Sequence, residues 1–156
     1  AKFFIDMRGR ADLRKLYVGG PNHAQHVPTH LDSLYFQDNL PVVQQTEAQG
    51  HAVRAGYLYA GMTDVDAMMG NRTYRAALDK IWHNTADQKM YLTGGVGAHR
   101  SGENFGENYE LPNQSAYAET CAAVAQMLWN HRMFLLTGDA RYLDVFERML
   151  YNGFLA

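Results

Sequence analysis

The sequence predicts an all-α chain assembled from helical hairpins. Three observations carry that expectation. Apolar residues recur at helical spacing through most of residues 41–156. Two short connectors, Gly61-Met62-Thr63-Asp64 and Thr137-Gly138-Asp139-Ala140, each separate two such runs, as the turns of αα-hairpins do. The chain has 156 residues, 47% of them apolar and 19% charged, a globular composition with enough material for one core. Stacked hairpins can form a bundle, a solenoid or a closed toroid, and the spacing alone leaves all three open.

Residues Ala1 to Arg8 read as the last turns of a helix closed by Gly9. Residues 9–40 are rich in Gly, Pro, His and Asn. They read as a long loop, with a turn at Gly19-Gly20-Pro21-Asn22 and a short helix near Asp32 to Asp38. Pro41 opens a helical segment through Val43, Gly50, Val53, Tyr57 and Leu58 that is expected to stop at Gly61. Thr63 and Asp64 then offer an N-cap for a short helix ending at Gly70. Asn71 caps the next, with Tyr74, Leu78, Ile81 and Trp82 on one face. Tyr91 to Gly97 read as a short strand and turn, followed by a polar loop to Pro112. Ser115 is the expected N-cap of a long helix to about Leu136, with Tyr117, Cys121, Val124, Leu128 and Leu135 as its apolar stripe. The last helix carries Tyr142, Val145, Phe146, Met149 and Leu150 inward. Both ends fall on apolar helix faces, so the 156 residues are expected to be cut from a longer domain.

The bulk numbers exclude several classes of function. Net charge is −2 with the two signs interleaved, so no basic stripe points to nucleic acid or to a membrane surface. Apolar runs are too short to span a bilayer, and no leader peptide is visible. Cys121 is the single cysteine, which rules out an internal disulfide.

Chemistry concentrates in residues 91–121. Glycines 94, 95, 97, 102 and 106 allow a loop to close around a ligand, and Glu103, Glu107, Glu110 and Glu119 supply carboxyls. On composition alone these are solvated acids of a surface loop. Glu119 and Cys121 offer a carboxylate and a thiolate, both acceptable to zinc. On an ideal helix, residues two apart point about 200° from each other, so the pair converges only at a helix start. Otherwise Cys121 is a small apolar residue on the helix stripe. His51 reads as a structural histidine or as a hydrogen-bonding group in a polar cleft.

Four segments carry a resemblance: GHAVRAGYLYAG (50–61), YLTGGVGAHRSGENF (91–105), ELPNQSAYAETCAA (110–123) and RMLYNGFLA (148–156). In this order and spacing they resemble the β-L-arabinofuranosidase families of glycoside hydrolases. The resemblance implies that residues 1–156 are part of an (α/α)6 toroidal catalytic domain, with roughly five of its twelve helices present. It implies retaining hydrolysis of terminal β-L-arabinofuranosyl groups, with a glutamate acid/base and a cysteine nucleophile held on zinc. By motif position, Glu103 matches the acid/base, Glu119 and Cys121 match two zinc ligands, and His51 matches a histidine lining the sugar subsite.

The nucleophile and last zinc ligand of that family form a downstream Cys-Cys pair, which this sequence lacks. Cys121 therefore matches a ligand that is not the nucleophile, and the chain is expected to need the remainder of its domain for zinc binding and turnover. Its expected partner is a carbohydrate substrate. Two other readings are another α/α-toroid sugar enzyme, such as an epimerase or unsaturated-uronide hydrolase, and a non-catalytic helical module binding a glycan or protein through residues 91–112.

Overall fold

The computed structural model describes residues 1–10, 33–70 and 72–155. Five α-helices are present among them: α1 (Lys2–Asp6), α2 (Ala52–Met69), α3 (Arg75–Asn84), α4 (Thr120–Thr137) and α5 (Arg141–Met149). Short 3-10 turns at Val42–Gln44 and Ser101–Glu103 and π-helical turns at Thr85–Lys89 and Leu150–Phe154 complete the regular structure. There is no β-strand among the described residues, only isolated bridges. The fold is all-α, as the helical spacing predicts.

Helices α2 and α4 form the central pair. They approach closely because small residues meet at the crossing. A Cβ added at Gly56 would stand 2.8 Å from Ala125 Cβ. Above this contact the rings of Tyr59 and Trp129 lie 4.8 Å apart. Helix α3 closes one side. Its Trp82 donates Nε1–H to Asn130 Oδ1 of α4 at 2.8 Å and packs edge-on against Tyr142 of α5, with centroids 4.8 Å apart. The Arg141 guanidinium covers the outer edge, 5.1 Å from the Trp82 ring centre and 4.8 Å from that of Tyr142.

The hairpin between α4 and α5 follows its sequence signals. Gly138 takes φ +74 and donates its N–H to Phe134 O at 2.7 Å, while Asp139 Oδ1 accepts from Arg141 N at 3.0 Å. The predicted faces of α3 and α5 also turn inward: Tyr74, Leu78, Ile81, Trp82, Tyr142, Val145 and Met149 are buried, and Phe146 and Leu150 pack half-buried against the core.

Several expectations fail. The turn at Gly61–Asp64 does not exist; α2 runs through it unbroken to Met69 and ends at Gly70, φ +64. A glycine inside a helix costs about 1 kcal/mol, and here the burial of Tyr59, Met62 and Val65 outweighs it. The segment opened by Pro41 is not helical beyond Gln44, so α2 starts at Ala52. Helix α4 begins at Thr120, not after Ser115, and its predicted stripe faces outward. Cys121, Leu128 and Leu135 are exposed, whereas Ala122, Gln126, Trp129 and Met133 are buried. The expected strand at 91–97 reduces to a turn with one bridge, Met90 to Val96. At the N-terminal end α1 stops at Met7, and Gly9 supplies the left-handed turn two residues later. Residues 33–37 form turns in place of the short helix, while Gly19 to Asn22 and Asn71 lie outside the described residues.

Candidate active site

Two chain segments are brought together at the start of α2. The first is 45–51. Ala48 is held at both backbone groups: its N–H donates to Asn84 Oδ1 at 2.9 Å and its carbonyl accepts from the buried Lys89 Nζ at 2.9 Å. Burial pushes the Lys89 ammonium pKa down, and the surrounding carboxylates Glu47, Glu107 and Glu110 oppose that shift. The second segment is 97–110. Asn84 reaches it through Asn108 at 2.8 Å, and Tyr109 N–H donates to Gln88 O at 2.8 Å. The end of α3 thus anchors both segments.

Gly50 makes the join. It has φ +69, and a Cβ there would lie 2.1 Å from the Leu34 carbonyl oxygen. Its own carbonyl accepts from Phe105 N at 2.9 Å. Next to it His51 and Asn104 form an antiparallel bridge, and Asn104 pairs back with His99. This lays Glu103 beside His51.

The contact is direct: His51 Nε2 lies 2.8 Å from Glu103 Oε2. The other ring nitrogen is also engaged. His51 is the N-cap of α2, and Nδ1 accepts from Val53 N at 3.2 Å and Arg54 N at 3.4 Å. The ring is buried and stands edge-on to Tyr35, centroids 5.2 Å apart. Glu103 itself has φ +52, next to Gly102 at φ +72. A left-handed glutamate costs of order 1–2 kcal/mol, and such strain collects at functional sites.

Tyr117 supplies the other side. Its hydroxyl donates to Glu103 Oε1 at 3.4 Å and also meets the Glu119 carboxylate. Burial raises the phenol pKa, and the two carboxylates raise it further, so Tyr117 stays a protonated donor. Its backbone is pinned through Gly97, whose carbonyl accepts from Tyr117 N at 3.2 Å and Ala118 N at 2.9 Å. The sequence pattern placed Tyr117 on a helix stripe and missed this role. The signal available was its position two residues before Glu119.

Glu119 is the N-cap residue of α4, with extended backbone and no side-chain capping bond, and Cys121 is the second helical residue. The pair therefore sits at a helix start, the one place on a helix where residues two apart are able to converge. Cys121 is exposed, which removes its reading as a buried apolar residue. The donor chemistry fits zinc, but among the described residues no three His, Cys, Asp or Glu side chains are arranged to hold a metal. Glu110 is occupied elsewhere: Oε2 accepts from Glu107 N at 2.8 Å and lies 3.2 Å from His99 Nε2.

A carboxyl group held on one oxygen by an imidazole and on the other by a phenol, in a loop over a helical scaffold, has the partners to give and to take a proton. The family described as Beta-L-arabinofuranosidase, GH127 catalytic domain, matches residues 1–156, and the chain belongs to that family. It is 35% identical to the non-reducing end β-L-arabinofuranosidase of Bifidobacterium longum subsp. longum over 159 residues, covering 100% of this chain and 24% of that protein. A solved GH127 β-arabinofuranosidase is 52% identical over 97% of this chain and 21% of its own, with a TM-score of 0.84. A GH127 β-L-arabinofuranosidase from Geobacillus stearothermophilus T6 is 42% identical over 97% of this chain and 24% of its own, with a TM-score of 0.87. The chain thus spans about a quarter of the length of these relatives. No described helix is long and apolar enough to cross a membrane.

Proposed function

We infer that this chain supplies the acid/base half of a retaining glycosidase acting on terminal β-L-arabinofuranosyl groups. The reading rests on one observation above the others, the 2.8 Å contact that sets Glu103 against His51. In this reading residues 1–156 are an arc of an (α/α)6 toroidal catalytic domain, and His51 lies at the floor of the sugar subsite.

Glu103 donates its proton to the glycosidic oxygen as the bond to the anomeric carbon breaks, so the aglycone leaves as an alcohol. The resulting carboxylate then takes a proton from the water that releases the sugar. Tyr117 steadies the carboxylate through both steps. Glu119 and Cys121 would hold zinc together with ligands from outside these 156 residues, and bound zinc keeps coordinating thiols deprotonated. The nucleophile in this reading is a cysteine that this chain does not carry.

The test is Glu103→Gln in the full-length enzyme. Turnover on alkyl arabinofuranosides, whose leaving groups need the proton, is expected to fall about 10²- to 10⁴-fold. Aryl arabinofuranosides with acidic phenol leaving groups should lose less in the bond-breaking step. Undiminished activity on both would remove Glu103 from the chemistry and leave residues 91–112 as a non-catalytic binding loop.

A further inference from the structure

We propose that Tyr117 ties the two halves of the site together: its one hydroxyl hydrogen is donated to Glu103 when that residue is a carboxylate and to Glu119 when Glu103 carries the proton. The inference rests on the reading of Glu103 as the acid/base and of Glu119 as a zinc ligand. It starts from a count of donors and acceptors. The Tyr117 hydroxyl lies 3.4 Å from Glu103 Oε1 and hydrogen-bonds the Glu119 carboxylate as well. Burial, and then the charges of the two carboxylates, keep the phenol protonated. A protonated phenol has one hydrogen to give and lone pairs to receive another. Two ionised carboxylates therefore compete for a single donor, and only one of them is fully served.

The competition ends when Glu103 takes up its proton. A carboxylic acid is itself a donor, so Glu103 then donates to the phenol oxygen and the phenol hydrogen is released to Glu119. When Glu103 gives its proton to the glycosidic oxygen, the hydrogen swings back to steady the new carboxylate. No bond within the phenol forms or breaks; the hydroxyl only turns about its C–O bond. Each state of Glu103 thus has a partner, and Glu119 is held most firmly while Glu103 is ready to act as acid.

The backbone around the hydroxyl favours this juxtaposition. Glu103 and Ala118 are both non-glycine residues in the left-handed region, φ +52 and +34, and they stand on the two segments that meet at Tyr117. Such backbone is uphill and persists only where its surroundings enforce it. At Ala118 the Gly97 carbonyl does so, taking the N–H of both Tyr117 and Ala118 at 3.2 and 2.9 Å. Glu119 spends no side-chain bond on capping α4, which leaves its carboxylate open to the phenol.

The test is Tyr117→Phe in the full-length enzyme, which removes one oxygen and keeps the ring. Zinc affinity, read by competition with a chromophoric chelator, is expected to weaken about tenfold to a hundredfold, because Glu119 loses the partner that orients it. At saturating zinc, kcat on alkyl arabinofuranosides should still fall about tenfold, with KM little changed. In Glu103→Gln a neutral amide stands in for the protonated acid. There Tyr117→Phe should cost almost nothing further in kcat, yet weaken zinc binding as much as before.

A loss of zinc affinity with kcat fully restored by added zinc would overturn the proposal and give the hydroxyl to Glu119 alone. A loss of kcat at unchanged zinc affinity would overturn it in favour of Glu103 alone. An equal kcat loss with and without Glu103, or a rise in KM at unchanged kcat, would also overturn it and make Tyr117 a structural residue or a sugar contact. Full activity in Glu103→Gln, or a wild-type enzyme that holds no zinc, would sink the underlying reading and this inference with it. Those two outcomes are distinct from the others, because they appear before Tyr117 is touched.

Discussion

Glu103 and Glu119 stand on either side of one tyrosine hydroxyl, and the chain surrounds them differently. Glu103 is held by His51 at 2.8 Å and by Tyr117 at 3.4 Å, on a backbone bent into the left-handed region. Those partners are fixed in turn by the N-cap of α2 and by the Gly97 carbonyl. Glu119 stands at an open helix start beside the exposed Cys121, its side chain not spent on capping. On the proposed reading, the difference teaches how a divided active site can be encoded. An acid/base group needs an aimed proton, so its orientation is built from local packing and short hydrogen bonds. Metal ligands need only present the right donors at a place other donors can reach, because the ion itself imposes the final geometry.

The largest expected effect breaks this comparison on the metal side. Cys121→Ser in the full-length enzyme should lower bound zinc to well below one equivalent and reduce turnover by orders of magnitude, measured by metal analysis alongside kcat. After chelator treatment, variant and wild type should melt together, because the exposed Cys121 side chain contributes little to the packing. An unchanged metal load would make Glu119 and Cys121 ordinary surface residues of α4.

The acid/base side breaks through its backbone. Gly50→Ala places a methyl group 2.1 Å from the Leu34 carbonyl at a residue with φ +69. It should cost about 2 kcal/mol or more in stability and lower turnover, because the same residue receives Phe105 and leads into His51. Gly138→Ala is the control. Its φ is +74, but nothing lies within 4 Å of the added Cβ. It should cost about 1 kcal/mol in chemical denaturation and leave turnover alone. Equal costs for the two would mean that backbone conformation, not the join between the two loops, explains Gly50.

How much of this was legible in the sequence depended on where side chains alone decide the fold. The face of α3 was readable because Tyr74, Leu78, Ile81 and Trp82 are large, apolar and evenly spaced, and all are buried. Helix α4 was not. It is nearly as apolar outside as inside, and its buried side carries Gln126 and Asn130. Asn130 belongs inward because Trp82 Nε1 needs an acceptor there, a demand that comes from another helix and leaves no mark on the local period. Gly61 read as a turn for a related reason: the burial that keeps α2 straight lies across the α4 interface. The proximity of His51 to Glu103 is invisible to periodicity, since 52 residues separate them; only the family resemblance set both in one site. Tyr117 fell on the wrong side of the boundary because the helix was expected to begin at Ser115.

The smallest effect tests a third carboxylate, which sharpens the contrast by belonging to neither half. The Glu110 pKa lies below its ordinary value of 4.5, mainly because its oxygen accepts the Glu107 N–H and then through His99. A depressed carboxylate contributes stability that is fully present above 4.5 and is lost as pH falls through the lowered folded value. Acid should therefore loosen residues 105–110, seen as declining protection from hydrogen exchange below pH 4.5. In Glu110→Gln that protection should already be reduced at neutral pH and should respond less to acid. Glu103 takes its partners from His51 and Tyr117, so the loop can loosen at Glu110 while the His51 contact stays closed. If exchange at 99–104 rose together with 105–110, the two carboxylates would share one cooperative loop, and the cradle around Glu103 would depend on more than its own two partners.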